Sequence, residues 1–504
     1  MSSLDIVWHC ITTLDRDFLS IYHQKIKSRE SMNVLLVNPP SSFLLRSFNE
    51  ISLPDVPLNL AYLAAMLEAD GHFVRIIDLN IVKTKIELDD QLAETNFELL
   101  GFTSTTPIIT SCFHTIKILK KKFPKSKVVL GGWHGSAIPV QTLESCFNID
   151  FVVKGEGEYT LQELVRVIEN GGDYSSILGL VYRRPDGVII ENGERPLITN
   201  LDSLPYPAWH LLALDEYKKI GVYTVGGYFK KDLYLCSILT SRGCIGKCIF
   251  CADGVIHKGK CRFRSPENVV DEIQQMIKKH GIRFFFVIDS NFLNSPVHVQ
   301  RICELIIKSQ LKILWGCVGR VENVSEDLLR LMKAAGCIRI SYGVESGSPK
   351  ILKLMDKNIS IPQIKNAVAL TKKVGISVYI YFVYGMPGET LDDVQMSRQL
   401  LFELKPNFVT HSIATPYPGT KLFDFVTKTG MLKDLEWEHF NYPFKHVIDT
   451  PYIKQVFMLQ RKIIRDFYIS PFFIIDTLKN LKSIYHLGFY IKAFINLLKL
   501  SLII

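Results

Sequence analysis

Long hydrophobic runs are missing from this chain of 504 residues. No stretch of about 18 or more predominantly apolar residues occurs, so no membrane-spanning helix is expected. The first residues show no basic segment followed by an apolar one, so no secretory signal is expected either. The 11 cysteines are spread too thinly for a small disulfide-bonded domain. We therefore expect a reducing, cytoplasmic location, in which clustered thiols indicate metal binding or catalysis.

A strong charge of either sign is also absent. Lys and Arg number 59 and Asp and Glu 50, and the net charge of +9 fits nucleic acid, an anionic membrane or phosphate groups equally well. Apolar residues make up 47% of the chain, and its 31 Gly and 22 Pro follow no period. These values exclude disordered and collagen-like proteins, and the length suggests roughly three domains.

The chain divides into blocks of different pattern. The first large block alternates short aliphatic runs with helical patterns, which predicts a doubly wound parallel sheet. A hairpin pattern at 178–193 follows, and six strand-like runs alternating with helical patterns then predict a partial or full β/α barrel. The predicted α/β domains are an N-terminal extension (1–32), a Rossmann-like domain (33–170), a connector (171–232), the barrel (233–430) and a helical C-terminal segment (431–504).

Three cysteines follow the first strand of the barrel block in a C-x3-C-x2-C arrangement: Cys244, Cys248 and Cys251. Closed structural zinc sites and ordinary electron-transfer clusters usually take four protein ligands. A [4Fe–4S] cluster held by three thiolates would leave one iron open for a substrate or cofactor. The alternatives are a structural zinc site completed by Cys261 or His257, and three packed thiols without a metal.

With the aromatic Phe250 before the last cysteine, this motif resembles the signature of radical S-adenosylmethionine enzymes. The resemblance implies that the open iron binds S-adenosylmethionine, whose reductive cleavage gives a 5′-deoxyadenosyl radical that abstracts hydrogen from unactivated carbon. It also implies an electron donor such as flavodoxin or ferredoxin. Later strand ends resemble further family motifs, although a single acid or glycine there is more often a cap or turn. The cofactor contacts implied are Phe250, Asp289, Glu345, Ser346, Gly385 and Met386.

The first block resembles the cobalamin-binding domain that precedes many radical S-adenosylmethionine cores. The resemblance rests on VNPP, PLNLAYLAAML, DGHFVRIIDLN, VVLGGWH and DFVVKGEGE, in that order. No D-x-H-x-x-G motif is present to supply a histidine to cobalt, and histidines such as His72 and His134 are more often ordinary surface or loop residues than ligands. We therefore expect cobalamin with its nucleotide base off cobalt and no histidine ligand. The residues expected on the cobalamin face are Thr103, Ser104, Gly131, Gly132, His134 and Glu156.

Together the two resemblances span residues 33–430 and imply a methyltransferase. One S-adenosylmethionine would supply the methyl group through cobalt, and a second would supply the radical. The predicted reaction is C-methylation of an unactivated carbon in a small hydrophobic molecule, lipid-like or tetrapyrrole, with no nucleic-acid partner. The alternatives are an anaerobic oxidative cyclase acting on a porphyrin, an adenosyl-radical enzyme that has lost its cobalamin ligand, and a non-catalytic cobalamin sensor. A sensor needs no radical source, so the three cysteines argue against it.

The C-terminal residues 454–504 are basic and amphipathic. They hold eight Lys and Arg against two Asp, and their apolar residues recur at helical spacing. This pattern is typical of a helix that lies in a membrane interface, and equally of a helical pair that caps the barrel and buries its apolar face. The first interpretation predicts peripheral contact with the inner face of the membrane and favours a lipid-like or tetrapyrrole substrate.

Overall fold

The structure, a computed structural model, describes residues 31–41, 56–82, 92, 95–220, 235–433, 435–440 and 446–479. Almost all of the predicted N-terminal extension, and the part of the basic tail beyond residue 479, lie outside these described residues. Within them, no helix is long and apolar enough to cross a bilayer.

The first sheet is built from seven strands. They are β1 (Asn33–Asn38), β2 (Phe73–Asp78), β3 (Leu99–Thr103), β4 (Lys127–Gly131), β5 (Phe151–Val153), β6 (Leu180–Arg183) and β7 (Ile189–Glu191). Their order is β2-β1-β3-β4-β5-β6-β7, and the pairs from β2 to β5 are parallel. The middle of β1 is buried on both faces, as expected for a strand covered by helices on both sides.

The hairpin that the sequence predicts at 178–193 belongs to this sheet. Strands β6 and β7 pair antiparallel with β5 and with each other. The sheet is therefore parallel through its first five strands and antiparallel at one edge. The chain reverses at Gly187, whose φ of +88° is accessible to glycine at little cost.

Helices cover both faces of the first sheet. They are α1 (Leu58–Ala69), α2 (Ile109–Lys122), α3 (Trp133–Ala137), α4 (Pro139–Ser145) and α5 (Glu158–Asn170), followed by α6 (Leu214–Ile220) after the hairpin. Helix α5 ends at Gly171, which adopts the left-handed conformation that commonly terminates helices. Helix α1 is apolar on nearly all sides, because it packs against both domains.

The second large sheet consists of six parallel strands in the order β15-β14-β13-β12-β11-β8. The strands of this half of the chain are β8 (Leu235–Ile238), β9 (Ser241–Arg242), β10 (Arg262–Phe263), β11 (Phe284–Val287), β12 (Leu314–Gly319), β13 (Cys337–Glu345), β14 (Ser377–Tyr384) and β15 (Phe408–Ile413). The end strands β8 and β15 are not paired with each other, so the six strands form a partial barrel. Strands β9 and β10 form a separate two-stranded hairpin.

Helices connect the barrel strands and extend beyond them. They are α7 (Asp253–His257), α8 (Pro266–His280), α9 (Pro296–Lys308), α10 (Glu326–Ala334), α11 (Pro349–Leu354), α12 (Ile361–Lys373), α13 (Leu391–Leu404), α14 (Lys421–Lys428), α15 (Ile453–Tyr468) and α16 (Pro471–Lys479). Capping boxes begin α12 at Ser360 and α13 at Thr390. The fold class predicted from the sequence is confirmed: a Rossmann-like domain, a partial β/α barrel and a helical C-terminal part.

One apolar core joins the two halves of the molecule. Val56, Leu58 and Ala61, at the start of α1, belong to the same buried cluster as the barrel strands and helices. The buried side chains of α15, including Val456 and Phe467, belong to it as well. The carboxyl end of the first sheet is thereby held against the barrel.

Candidate functional site

A cavity of about 530 Å³ lies between the carboxyl end of the first sheet and the barrel. Such sheets bind ligands at the carboxyl ends of their strands. The cavity is lined from the first domain by residues that include Asn38, Asn59, Thr103, Ser104, Gly131, Gly132, Trp133 and Glu156. It is lined from the barrel by residues that include Ser241, Arg242, Gly243, Ile256, His257, Ile288 and Ser290.

The Gly131–Gly132 pair has no side chains, so it leaves space along the cavity wall of the first domain. A Cβ atom at Gly131 would meet no atom within 4 Å, so this glycine opens space toward the cavity. At Gly132, with φ +95°, a Cβ would lie 2.6 Å from the backbone oxygen of Ser104. Gly132 therefore allows two backbone segments to approach each other, and Thr103 is fixed beside them by a hydrogen bond from Asn59 Nδ2 at 2.9 Å.

His134 does not line the cavity, contrary to the expectation that it would stand on the rim. Its side chain is buried, its Nδ1 lies 3.1 Å from Thr106 Oγ1, and its ring contacts Trp437 edge to face. Burial lowers the pKa of His134 to about 4. The neighbouring Trp133 lines the cavity instead, because the short helix α3 directs successive side chains to different sides.

The cysteine loop lies between β9 and α7, on the barrel side of the cavity. The backbone N–H of Cys244 donates to Asp253 Oδ2 at 2.9 Å. The Cys244 sulfur accepts a hydrogen bond from the Gly246 N–H at 3.3 Å, and the Cys248 sulfur accepts one from Arg320 Nη1 at 3.4 Å. Hydrogen bonds of this kind stabilise negative charge on sulfur, so the loop is suited to hold thiolate ligands.

The residues that could complete a zinc site have other hydrogen-bond partners in the structure. Desolvation of its sulfur, together with the nearby Asp253, Cys248 and Cys244, raises the pKa of Cys251 to about 11, although the residue as a whole is exposed. Among the described residues, no three His, Cys, Asp or Glu side chains are grouped as they would be around one ion. The candidate fourth zinc ligands have other partners: Cys261 accepts from Asn294 Nδ2 at 3.2 Å, and His257 Nδ1 lies 3.1 Å from Arg262 Nη2. A cluster distributes its cysteines over different irons.

Asp289 faces the protein interior and does not line the cavity, and its role as a cofactor contact stays a prediction. Its carboxylate accepts hydrogen bonds from Thr240 N at 2.7 Å, Thr240 Oγ1 at 2.5 Å and Ser241 Oγ at 2.6 Å. Burial raises the pKa of Asp289 despite these bonds. Asp289 therefore holds the segment that precedes the cysteine loop, whereas Ser290 lines the cavity.

Glu345 ends β13 as one half of a buried ion pair. Its Oε1 lies 2.7 Å from Lys357 Nζ, and both side chains are less than a tenth exposed. A Cβ at Gly343 would lie 2.4 Å from Glu345 Oε1, so this glycine makes room for the pair. Ser346 is fully buried, and its Oγ accepts from the N–H of Ser348 at 3.1 Å, which shapes the turn into α11.

The glycine turn after β14 meets the cysteine loop. Gly385 has a φ of +81°, and its N–H donates to Glu389 Oε2. Met386 is fully buried in an apolar cluster against which Phe250 packs. The structure therefore brings Phe250 and Met386, two residues predicted from separate motifs, into one cluster.

Four charged residues of this region were not predicted. Arg320 follows β12 and contacts the cysteine loop, Lys357 pairs with Glu345, and Arg242 and Arg262 bind the first domain. Arg242 stands two positions before the first cysteine, which is the only sequence signal that pointed to it. Cys248, which Arg320 contacts, and Glu156, which Arg262 binds, are distant in sequence, whereas Lys357 lies 12 residues from Glu345.

The comparisons with known proteins agree with this arrangement. The radical SAM superfamily model matches residues 238–401, and the B12 binding domain model matches residues 51–165. An uncharacterised methyltransferase of Pyrococcus horikoshii is 32% identical over 92% of this chain and 96% of its own length. The anaerobic magnesium-protoporphyrin IX monomethyl ester cyclase of Rubrivivax gelatinosus is 29% identical over 77% of this chain and 69% of its own length.

A solved structure shows the same fold. The radical S-adenosylmethionine methyltransferase TsrM from Kitasatospora setae, determined with cobalamin and a [4Fe-4S] cluster bound, aligns with a TM-score of 0.67. The alignment covers 81% of this chain and 76% of that one, at 22% identity. Taken with the extent of the Pyrococcus match, these findings show that the chain belongs to the family of radical S-adenosylmethionine enzymes that carry a cobalamin-binding domain.

Proposed function

We propose that this protein is a methyltransferase that uses a [4Fe–4S] cluster, S-adenosylmethionine and cobalamin to methylate an unactivated carbon of a hydrophobic substrate. The observation that supports this proposal is the shared cavity. The Gly131–Gly132 wall of the first domain and the residues around the cysteine loop face the same space. A methyl donor and a radical source must both reach one substrate carbon, and a cavity bounded by both domains meets that requirement.

The chain's own residues would bind and position the cofactors. Cys244, Cys248 and Cys251 would hold the cluster, and Gly131 would allow a flat corrin ring to approach the sheet. When bound, these groups supply a methyl group and a hydrogen-abstracting radical. Arg320 and the Gly246 N–H would stabilise the cysteine sulfurs. The base-off form of cobalamin stays a prediction.

The walls of the cavity favour an apolar acceptor. Ile108 from the first domain and Ile256 and Ile288 from the barrel line it, and burying such surface against an apolar substrate is favourable. The second candidate function is an anaerobic cyclase acting on a porphyrin, which the similarity to the Rubrivivax enzyme supports. The third candidate is a non-catalytic cobalamin sensor. It does not account for the three cysteines, because a sensor needs no radical source.

We also propose two contacts with other molecules. An electron donor such as flavodoxin or ferredoxin would reduce the cluster. The C-terminal helices would place the protein at the inner face of the membrane, because α16 exposes Ile474, Ile475 and Leu478. This location would give access to a lipid-like or tetrapyrrole substrate.

Anaerobic reconstitution tests these candidates directly. The purified protein is loaded with iron, sulfide and cobalamin and then incubated with S-adenosylmethionine and a reductant. Formation of 5′-deoxyadenosine distinguishes an enzyme from a sensor, and formation of S-adenosylhomocysteine distinguishes a methyltransferase from a cyclase. Extracts of cells that express the protein are then searched for a compound that gains the mass of one CH2. Failure to form S-adenosylhomocysteine under all conditions would contradict methyl transfer.

A further inference from the structure

A short antiparallel hairpin encloses the segment that bears the cysteines. Strand β9 pairs with β10, and Arg262 lies directly opposite Arg242 in this pairing. The cysteine loop and α7 occupy the chain between the two strands. The hairpin therefore brings the start and the end of segment 243–261 together.

Both arginines of the hairpin bind the first domain. Arg242 donates from Nη1 to Glu156 Oε1 at 2.9 Å and from Nη2 to Glu158 Oε1 at 2.6 Å. Arg262 donates from Nη1 to the second oxygen of Glu156 at 2.6 Å and to the carbonyl of Ile198 at 2.8 Å. Glu156 is thus held by guanidinium groups from both strands. We call Arg242, Arg262, Glu156 and Glu158 the interdomain ion cluster.

The interdomain ion cluster is almost free of solvent. Its four side chains are between 5% and 10% exposed, and its two positive charges balance its two negative charges. Burial by itself would raise the pKa of Glu156, but Arg242 and Arg262 hold that pKa below its ordinary value. Buried ion pairs of this kind fix geometry more than they add stability, because desolvation offsets much of their attraction.

The position of the ion cluster links the two halves of the candidate site. Glu156 and Glu158 follow β5 at the carboxyl end of the parallel strands of the first sheet. Together with Arg242 they form part of the cavity wall. Arg242 lies two residues before Cys244. One set of buried ion pairs therefore joins the wall that would contact cobalamin to the loop that would hold the iron–sulfur cluster.

We infer that the interdomain ion cluster couples the two cofactor sites, so that loading the cysteine loop raises the affinity of the protein for cobalamin. This inference rests on the proposed function. Ligation of the three cysteines fixes the segment that connects Arg242 to Arg262, and the two arginines transmit that arrangement to Glu156 and Glu158. By linkage, cobalamin must raise the affinity for the iron–sulfur cluster by the same factor.

Cobalamin titrations of cluster-loaded and cluster-free protein test the inference. Binding is followed anaerobically by quenching of tryptophan fluorescence, since Trp133 lines the cavity. The loaded wild-type protein is expected to bind hydroxocobalamin more tightly than the cluster-free protein, by about fivefold or more. In Arg262→Gln the affinities of the loaded and cluster-free forms should differ by less than about twofold. Lys258→Gln is the matched control, because the Lys258–Glu194 pair, at 3.1 Å, is exposed. It should keep the wild-type ratio.

A second variant and a second measurement keep the inference open to contradiction. Glu158→Gln removes one charge with little change in volume and serves as the test variant if Arg262→Gln does not fold. Its loaded and cluster-free forms should bind cobalamin with nearly equal affinity. Without cobalamin, cluster loading should slow hydrogen exchange of the backbone amides of 153–158 in the wild type but not in the variants. Equal cobalamin affinity with and without the cluster, or a ratio that survives in both variants, would overturn the coupling. If neither form binds cobalamin, the proposed cobalamin role and the coupling are both wrong, whereas equal binding by the two forms contradicts the coupling alone.

Discussion

At the residue scale, the three cysteines of the motif differ from the others by their surroundings. Six further cysteines of the described chain are buried: Cys112, Cys146, Cys236, Cys303, Cys317 and Cys337. Such thiols behave as small apolar side chains. Cys261 is half-buried with its sulfur hydrogen-bonded to Asn294, so it too has a structural partner.

Replacing Cys244, Cys248 or Cys251 with Ala should abolish cleavage of S-adenosylmethionine, because an iron loses its protein ligand. Iron content and 5′-deoxyadenosine formation measure the effect after anaerobic reconstitution. Cys261→Ala is the control and should retain both iron and activity. Loss of iron in Cys261→Ala, or zinc in place of iron in the wild type, would contradict the open cluster.

Glu389 should make the stability of the protein depend on pH. Burial raises its pKa to about 8, and its Oε1 is buried with no hydrogen-bond partner. An unfolded chain releases this proton near pH 4.3, so the unfolded state gains charge while the folded state does not. The free energy of unfolding should therefore fall as the pH rises from about 4.3 to 8, by at most about 1.4 kcal/mol per pH unit.

Thermal unfolding at a series of pH values measures this dependence. Glu389→Gln cannot release a proton, so its melting temperature should fall less than that of the wild type between about pH 5 and 8. Glu304→Gln, at a solvent-exposed glutamate, should follow the wild-type curve. An unchanged pH profile in Glu389→Gln would show that Glu389 is not the group responsible.

Two features of individual residues could not be predicted from the sequence: the direction of a side chain at a strand end and its partners on other elements. The motifs identified the cysteine loop and the strand ends, because these follow local patterns. They did not reveal that His134 and Asp289 turn inward, since side-chain direction at a strand end depends on the neighbouring loops. Arg320 was missed because Cys248, whose sulfur it contacts, is 72 residues away, and Lys357 because its partner Glu345 belongs to a different element.

At the scale of secondary-structure elements, the sequence predicted the β/α order well. Buried parallel strands such as β1 are nearly continuous apolar runs, and helices between them show their own spacing. The hairpin formed by β6 and β7 was predicted, but its membership of the first sheet was not. Pairing with β5 depends on which edge is available, and no local pattern contains that information. The two-residue strands β9 and β10 are too short to leave a periodic signal.

The turn between β4 and α3 gives a test of the cobalamin face. Gly131→Leu places a side chain in open space toward the cavity without a backbone clash, so it should obstruct the corrin. Cobalamin affinity should fall by roughly tenfold, since forcing extra volume into a packed contact costs about 1–3 kcal/mol. The iron content of protein reconstituted without cobalamin should stay unchanged, because the cysteine loop lies on the other domain.

Gly131→Ala supplies the graded control for this prediction. Its single methyl group meets nothing within 4 Å, so it should bind cobalamin nearly as the wild type does. Gly132 is unsuitable for the same test, because its φ of +95° would strain any other residue. Undiminished cobalamin binding by Gly131→Leu would place the corrin elsewhere.

At the scale of the whole molecule, the candidate site exists only where the two domains meet. The cavity takes its walls from both, and the contacts that hold the domains together join residues far apart in the chain. The hydroxyl of Tyr217 in α6 donates to Asp78 at the end of β2. Trp209 Nε1 donates to Glu272 of α8 at 3.0 Å. The packing of the two domains depends on such long-range pairs, which local patterns do not contain. The sequence therefore predicted each domain but not the cavity between them.

The two described C-terminal helices differ in how far their apolar side chains are buried. Helix α15 packs its apolar side chains, Val456, Ile463 and Phe467, into the barrel core, so this part of the tail is structural. Phe473 of α16 packs against Phe467, whereas Ile474, Ile475 and Leu478 are 47% to 56% exposed. An exposed apolar stripe is one feature of a membrane-interface helix, and α16 itself carries one acidic and one basic residue, Asp476 and Lys479.

Flotation with anionic liposomes tests this surface on the intact fold. Truncation after Lys479 keeps the packing of Phe473 and removes Lys482, Lys492 and Lys499, each worth about 1 kcal/mol of attraction near an anionic surface. The full-length protein should float, salt should weaken its binding, and the truncated protein should bind less. Replacing Ile475 and Leu478 with Gln in the full-length chain should reduce binding without changing its salt dependence, since it removes apolar area and no charge. If the full-length protein does not float, the membrane contact is wrong, and the preference for a lipid-like substrate then rests on the cavity walls alone.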